Sequence, residues 1–170
     1  MRGRPSDHIH DRLRQDVMSA ARPEIREPRR HEWERYRTLL AGADLPLDGV
    51  GPGAGGVFVV AVDGDGSVVG GAGVEGVGPV VLLRSLVVAG GQRGMGLGRE
   101  LLAAMEDRAY QAGAREIYLL TTTAAPFFAS NGYRRAGRRE APERIRQSRE
   151  FTVLCPSSAV LMAKTLPGIG

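Results

Sequence analysis

The chain has 170 residues, 42% of them hydrophobic, which predicts one domain with its own core and leaves no room for two of ordinary size. Its formal charge of +4 comes almost wholly from arginine. An aromatic content of 5% and the lack of any nucleic-acid module signature exclude a base-stacking surface, so the arginines read as solvated faces. A single cysteine, Cys155, excludes an internal disulfide and a cysteine-based zinc cluster; no apolar run has the length of a membrane span, and charges stand where a signal peptide has its apolar centre. A cytoplasmic protein without metal, membrane or nucleic-acid partner is expected.

Residues 1–22 are polar and arginine-rich and read as a flexible basic extension, leaving 23–170 as the domain. His8 and His10 lie close enough to share a metal, but nothing nearby completes a site. Glu24 to Glu27 is expected as a short strand ended by Pro28. From Arg29 to Ala41 the spacing of Trp33, Tyr36, Leu39 and Leu40 makes one apolar stripe of a helix. Leu45 to Gly56 is too rich in Gly and Pro to stay regular. Val57 to Val62 and Val68 to Val74 read as a hairpin closed by Asp63-Gly64-Asp65-Gly66-Ser67, and Val80 to Val88 as the next, buried strand.

That strand runs into Gln92-Arg93-Gly94-Met95-Gly96-Leu97-Gly98-Arg99, and beyond it Leu101, Leu102, Met105 and Ala109 recur at helical spacing as far as Gln111. Three alternating glycines free the backbone of Cβ atoms, so its N–H groups can converge on an oxyanion at the positive end of the new helix. A phosphate or pyrophosphate is the natural guest. The Walker pattern is excluded because the only lysine, Lys164, is far from the loop; a dinucleotide fingerprint has a different spacing and an earlier place in the chain. Glu116 to Thr121 is the next buried strand, parallel to Val80–Val88 across the helix. Ala124 to Ser130 is a short helix, Tyr133 to Ala136 a strand, Pro142 to Arg149 a further helix, and Ala159 to Lys164 the last strand.

Read as Arg-x-x-Gly-x-Gly from Arg93 to Gly98, the loop resembles the pyrophosphate loop of the GNAT superfamily of acetyl-CoA-dependent N-acetyltransferases, and the order of elements agrees from Glu24 to Leu166. The resemblance implies an α/β (α+β) fold with a mixed, splayed sheet of about seven strands flanked by helices. Leu82 to Val88, Thr121-Thr122-Thr123, Phe127-Phe128, Gly132-Tyr133, Glu75 and Phe151 to Pro156 further resemble the branch associated with arsenic resistance. The activity this resemblance implies is acetyl transfer from acetyl-CoA, without a metal, to a small-molecule amine, including an amino-acid-like arsenical or phosphinothricin-like compound. A protein N-acetyltransferase and a catalytically weak acetyl-CoA-binding sensor are the alternatives, and a homodimer is left open.

Carried over residue by residue, the resemblance assigns acetyl-CoA to Arg93, Gly94, Met95, Gly96, Leu97, Gly98 and Arg99 at the pyrophosphate, to the backbone of Val87 and Val88 along the pantetheine arm, and to Phe128. Amine attack needs a base, because a substrate amine is mostly protonated near neutral pH. Glu75, at the end of an apolar strand, is the candidate, against a plain turn residue beside Gly76. Arg84 is a charge within a run of Val and Leu, so it must pair either with a protein carboxylate or with a substrate anion. Ser85, Thr121, Thr122 and Cys155 are the other substrate-side candidates; Thr121 to Thr123 equally suit a strand end and a helix cap. Phe128 stands where many of these enzymes carry a tyrosine that protonates the leaving thiolate, with Tyr118 as a substitute acid or a strand-packing residue.

Overall fold

A computed structural model of the chain describes residues 22–167. The extension read over residues 1–22, with His8 and His10, lies outside the described residues except for Arg22. Seven strands form one open sheet in the order β1-β2-β3-β4-β5-β7-β6, with β1 Glu24–Arg26, β2 Val57–Val62, β3 Val68–Glu75, β4 Val80–Val88, β5 Glu116–Thr121, β6 Arg134–Arg135 and β7 Val160–Thr165. All neighbours are antiparallel except β4 and β5, which a helix joins and which are therefore parallel, as expected.

Alternation along the strands sends successive side chains to opposite faces. Helix α1 (Trp33–Gly42) lays Tyr36 and Leu40 on one face against Phe58, Val60, Val62 and Val87. Helix α2 (Leu97–Gln111) lays Leu101, Leu102 and Met105 on the other, against Val59, Ala61, Leu83, Ile117 and Leu119. Short helix α3 (Ala125–Ser130) follows β5, with Pro126 in its first turn. The single turn α4 (Glu143–Arg146) covers Leu82 and Tyr118 through Ile145.

Two glycines inside β3 make the α1 face possible. A Cβ at Gly71 would stand within the Tyr36 ring and one at Gly73 within the Phe58 ring, so both rings lie directly on strand backbone. Behind α3, Lys164 Nζ donates to Glu106 Oε1 and Oε2 at 2.9 and 3.1 Å and to the Asn131 carbonyl at 3.0 Å, while the Tyr133 hydroxyl donates to Glu106 Oε1 at 3.1 Å. These bonds tie β7, α2 and the end of α3 together.

Two expectations near the C-terminus need correcting. The strand expected over Tyr133 to Ala136 is only Arg134–Arg135, because Tyr133 turns into the core. The helix expected over Pro142 to Arg149 stops at Arg146, and a separate π-helical turn, Glu150–Leu154, comes after it. No helix among the described residues is long and apolar enough to cross a membrane.

Candidate active site

Strands β4 and β5 pair only from Val80 to Leu82 with Glu116 to Tyr118 and then part company. A cleft of about 620 Å³ opens between their free ends. Leu83 to Val88 form one wall and Leu119 to Ala124 the other; α3 closes it with Phe127 and Phe128, and the segments Ala43 to Pro46 and Leu154 to Pro156 lie across its far end.

At one end stands the glycine loop. Gly94 and Gly96 have φ of 82° and 83°, which L-residues with a Cβ rarely adopt, and Gly96 sits directly before α2 with no side chain capping that helix. The first N–H groups of a fifteen-residue helix are thus left to an external acceptor. Leu97 is buried in the core and offers only its backbone, whereas Met95, 63% exposed, stands clear of the cleft with Gly94 and Gly96. Arg93 and Gly98 line it, and Arg93 Nε donates to the Val88 carbonyl at 3.4 Å. A Cβ on Gly98 would come 3.4 Å from the Phe127 ring, in ordinary contact with it. Exposed Arg99 adds positive charge beside the loop. Uncapped donors, two cations and a bare backbone fit the diphosphate of a CoA ester.

At the other end the chemistry is carried by side chains. Arg84 is buried, and its Nη1 donates to Glu75 Oε1, its Nη2 to the Asp48 carbonyl and its Nε to Ser85 Oγ at 3.0 Å. Glu150 Oε1 lies 3.1 Å from Arg84 Nη2 as an ion pair, but no hydrogen bond is aligned on that oxygen. Of the two readings of Arg84, the structure contains the pairing with protein carboxylates. Glu75 does not line the cleft and meets it only through Arg84. Cys155 does line it, and its Sγ–H donates to Glu150 Oε2 at 3.3 Å. Burial first, and then that bond, push the Cys155 thiol up to about 12, so it is a neutral thiol at ordinary pH.

The loop before β2 is held by guanidinium groups from three directions. Arg37 Nη1 donates to the Leu47 carbonyl at 2.9 Å and to that of Val50, Arg84 binds the Asp48 carbonyl, and Arg149 Nη2 donates to Asp48 Oδ2 at 3.0 Å.

Other candidates take definite places. Val87, Val88, Ser85, Thr121 and Thr122 all line the cleft. Thr121 Oγ1 accepts the Ala124 N–H at 3.0 Å and so starts the turn into α3, while Thr122 is exposed. Phe128 packs edge-on to Phe127 and Tyr133 at the cleft's inner end. Tyr118 is the candidate that the fold removes. Its side chain points to the α4 face, among Leu82, Ile145 and Leu161, outside the cleft, and burial raises its phenol, so it is not placed to protonate a leaving group there.

Sequence reasoning passed over Asp44, Glu150 and Tyr36. Asp44 is the one carboxylate on the cleft wall among the described residues, with a left-handed φ of 56° just after α1. Glu150 reaches Arg84 across 66 positions of sequence, a pairing that no local pattern announces. Tyr36 read as core; its hydroxyl donates to the Ser85 carbonyl at 2.7 Å, and the glycines of β3 were the available signal of such a close approach.

This arrangement, an open sheet split between two parallel strands with a glycine loop and an uncapped helix N-terminus at one end, is a cleft suited to a phosphate-bearing cosubstrate. The model of the acetyltransferase (GNAT) family matches residues 13–137, and the chain belongs to that family. No curated protein matches it significantly. Among solved structures it resembles N-acetylglutamate synthase from Neisseria gonorrhoeae complexed with coenzyme A and N-acetyl-glutamate, with a TM-score of 0.70 and 20% identity over 85% of this chain and 35% of that one. It also resembles Rv2747 from Mycobacterium tuberculosis in complex with CoA, with a TM-score of 0.70 and 19% identity over 85% of this chain and 100% of that one. A third, an aminoglycoside 6'-N-acetyltransferase complexed with coenzyme A, has a TM-score of 0.63 and 19% identity over 86% and 99%. The chain spans about a third of the length of the Neisseria enzyme. At these identities the likeness is one of fold.

Proposed function

We propose that the protein transfers the acetyl group of acetyl-CoA to the amine of a small molecule. The observation that carries this is the cleft between the parted ends of β4 and β5, with an uncapped helix N-terminus and paired positive-φ glycines at one end and room for an acceptor at the other. Acetyl-CoA supplies an activated thioester; the chain supplies position, exclusion of bulk water and a route for the amine's proton. The carboxylate that can draw that proton through water is Asp44 on the wall; Glu75, behind Arg84, is the rival and would have to act through that guanidinium or after the pair opens. The pH profiles of kcat/KM for Asp44→Asn and Glu75→Gln separate them, since only the acting base loses its limb.

The narrower reading, an amino-acid-like arsenical or phosphinothricin-like acceptor in a resistance role, needs a cation that receives the substrate's anion. Arg84 gives three of its five N–H groups to Glu75, Asp48 and Ser85 and has the carboxylates of Glu75 and Glu150 beside it, so an anionic acceptor competes with these two for the same charge. The class we assign is therefore a small amine, with anionic amino acids as one arm of its test. CoA release by the purified protein is followed against amino acids, phosphinothricin-like and arsenical amino acids, polyamines, aminoglycosides and peptides, with product mass as confirmation. Turnover on one small amine with a product heavier by one acetyl group is the expected result. Saturable acetyl-CoA binding without turnover on any of them would favour the sensor, and preference for peptides the protein N-acetyltransferase.

A further inference from the structure

Ser85 has a φ of 61°, a region that residues other than glycine seldom enter. It lies where the β3–β4 register slips. Gly71 faces Val87 and Gly73 faces Arg84, so Ser85 and Leu86 together oppose the single residue Ala72. That is a β-bulge, which leaves strand backbone outside the ladder and re-aims the residues beyond it. It falls on the part of β4 that has already left β5, where Ser85, Leu86 and Val87 form the cleft wall.

An unfavourable φ persists only when its surroundings hold it. Two bonds hold this one. Arg84 Nε donates to Ser85 Oγ at 3.0 Å, and the Tyr36 hydroxyl donates to the Ser85 carbonyl at 2.7 Å. Tyr36 is fully buried, its ring set in the space that glycine leaves at position 71 and flanked by Trp33 and Phe58 at 6.3 Å. It has little freedom to move. Burial also pushes its phenol above the ordinary range, so the hydroxyl remains a donor through neutral pH. In a trans peptide the N–H points opposite to the preceding C=O, so fixing the Ser85 carbonyl fixes the direction of the Leu86 N–H.

Resting on the acetyl-transfer reading above, we propose that Tyr36 is a positioning residue: through the Ser85 carbonyl its hydroxyl locks the Ser85–Leu86 peptide, so that β4 presents a fixed backbone donor at the cleft wall. Donors fixed before reaction act without reorganising during it. The hydroxyl lies on the far side of the strand from the chemistry and touches no reactant. Its effect belongs in kcat rather than in acetyl-CoA affinity.

Tyr36→Phe keeps the ring and removes only the hydroxyl. The carbonyl ¹³C resonance of labelled Ser85 should move, the Leu86 amide should exchange about tenfold faster than in the parent, and kcat should fall about tenfold while the acetyl-CoA Kd stays within twofold. Ser85→Gly, which frees the same peptide while keeping Tyr36 and gives up only the bond from Arg84 Nε, should also lower kcat at unchanged Kd, and serves if Tyr36→Phe does not fold. An unmoved Ser85 resonance, or kcat unchanged in both variants while the parent is active, overturns the inference. Failure of the acetyl-transfer reading shows differently, as a parent protein that acetylates no amine.

Discussion

The glycine-loop end of the cleft is made mostly of backbone from one continuous stretch, Val87 to Arg99, in which Leu97 points into the core and Met95 out to solvent, with Arg93 and Arg99 adding charge. The opposite end is held by contacts from four separated places, with Arg84 on β4 gathering the carboxylates of Glu75 from β3 and Glu150 from the π-helical turn and the backbone carbonyl of Asp48 from the loop after α1. The first can be altered at most side chains without consequence and fails only where the backbone itself is constrained. The second fails when any central partner is removed. On the acetyl-transfer reading proposed above, the cosubstrate and the acceptor are thus met by different materials.

The sharpest way to break that contrast is Arg84→Met. It leaves half-buried Glu75 and the Asp48 carbonyl without their donor and buried Glu150 without its counter-ion, and removal of one partner from a buried ion pair costs about 3–5 kcal/mol. Urea unfolding should show this loss; a smaller change than about 1 kcal/mol would mean that the acceptor end does not depend on its charged centre. At the loop, Gly96→Ala meets no neighbouring atom, so its whole effect is the left-handed φ of 83°, worth roughly 1–2 kcal/mol. Weaker acetyl-CoA binding by calorimetry should accompany it, because the N–H groups at the start of α2 move with Gly96.

Cys155 gives a chemical test of how closed the acceptor end is. With the thiol pushed up to about 12, alkylation by iodoacetamide at pH 8 should run about a thousandfold more slowly in the folded protein than at an unperturbed thiol. The same shift sets a sign for stability. Between the ordinary thiol range near pH 9 and pH 12 the unfolded chain gives up a proton that the native state keeps, so stability falls as pH rises through that window. Rapid labelling at pH 8 would show that Glu150 and the wall do not enclose the thiol. The smallest effect belongs to Met95→Ala, which should leave both stability, within about 0.5 kcal/mol, and acetyl-CoA binding unchanged.

The same division explains what could be read in the sequence. The β4–loop–α2–β5 unit was legible because its signals are local: an apolar run, alternating glycines and a helical stripe, each within one segment. The seven-strand mixed sheet followed from it. The acceptor end was legible only in part: Arg84 stood out as a charge in an apolar strand that needs a carboxylate, and it has Glu75, whereas the contacts to positions 48 and 150 are remote in sequence and the Glu150–Leu154 turn has no distinctive pattern. The bulge at Ser85 escaped for a different reason. Serine carries no expectation of positive φ, and only Gly71, an interior strand glycine facing the slipped register, hinted that something approached the backbone there. Of the two readings of Tyr118 the strand-packing one holds: successive residues face opposite ways, so Tyr118 goes to the α4 face and its neighbour Leu119 to the α2 face.

The lysine that joins β7 to α2 bears on a hazard of handling activated acetyl groups. Thioesters acylate exposed amines without any enzyme, and a side-chain amine is vulnerable only while its lone pair is free. This chain has a single lysine, and Lys164 keeps its ammonium in three hydrogen bonds to Glu106 and Asn131, while arginine carries every other positive side chain apart from histidine. A guanidinium is too weakly nucleophilic to be consumed in this way. The arginine-rich composition, which at first gives only a net charge, thus leaves the chain with a single side-chain amine that a thioester could acylate.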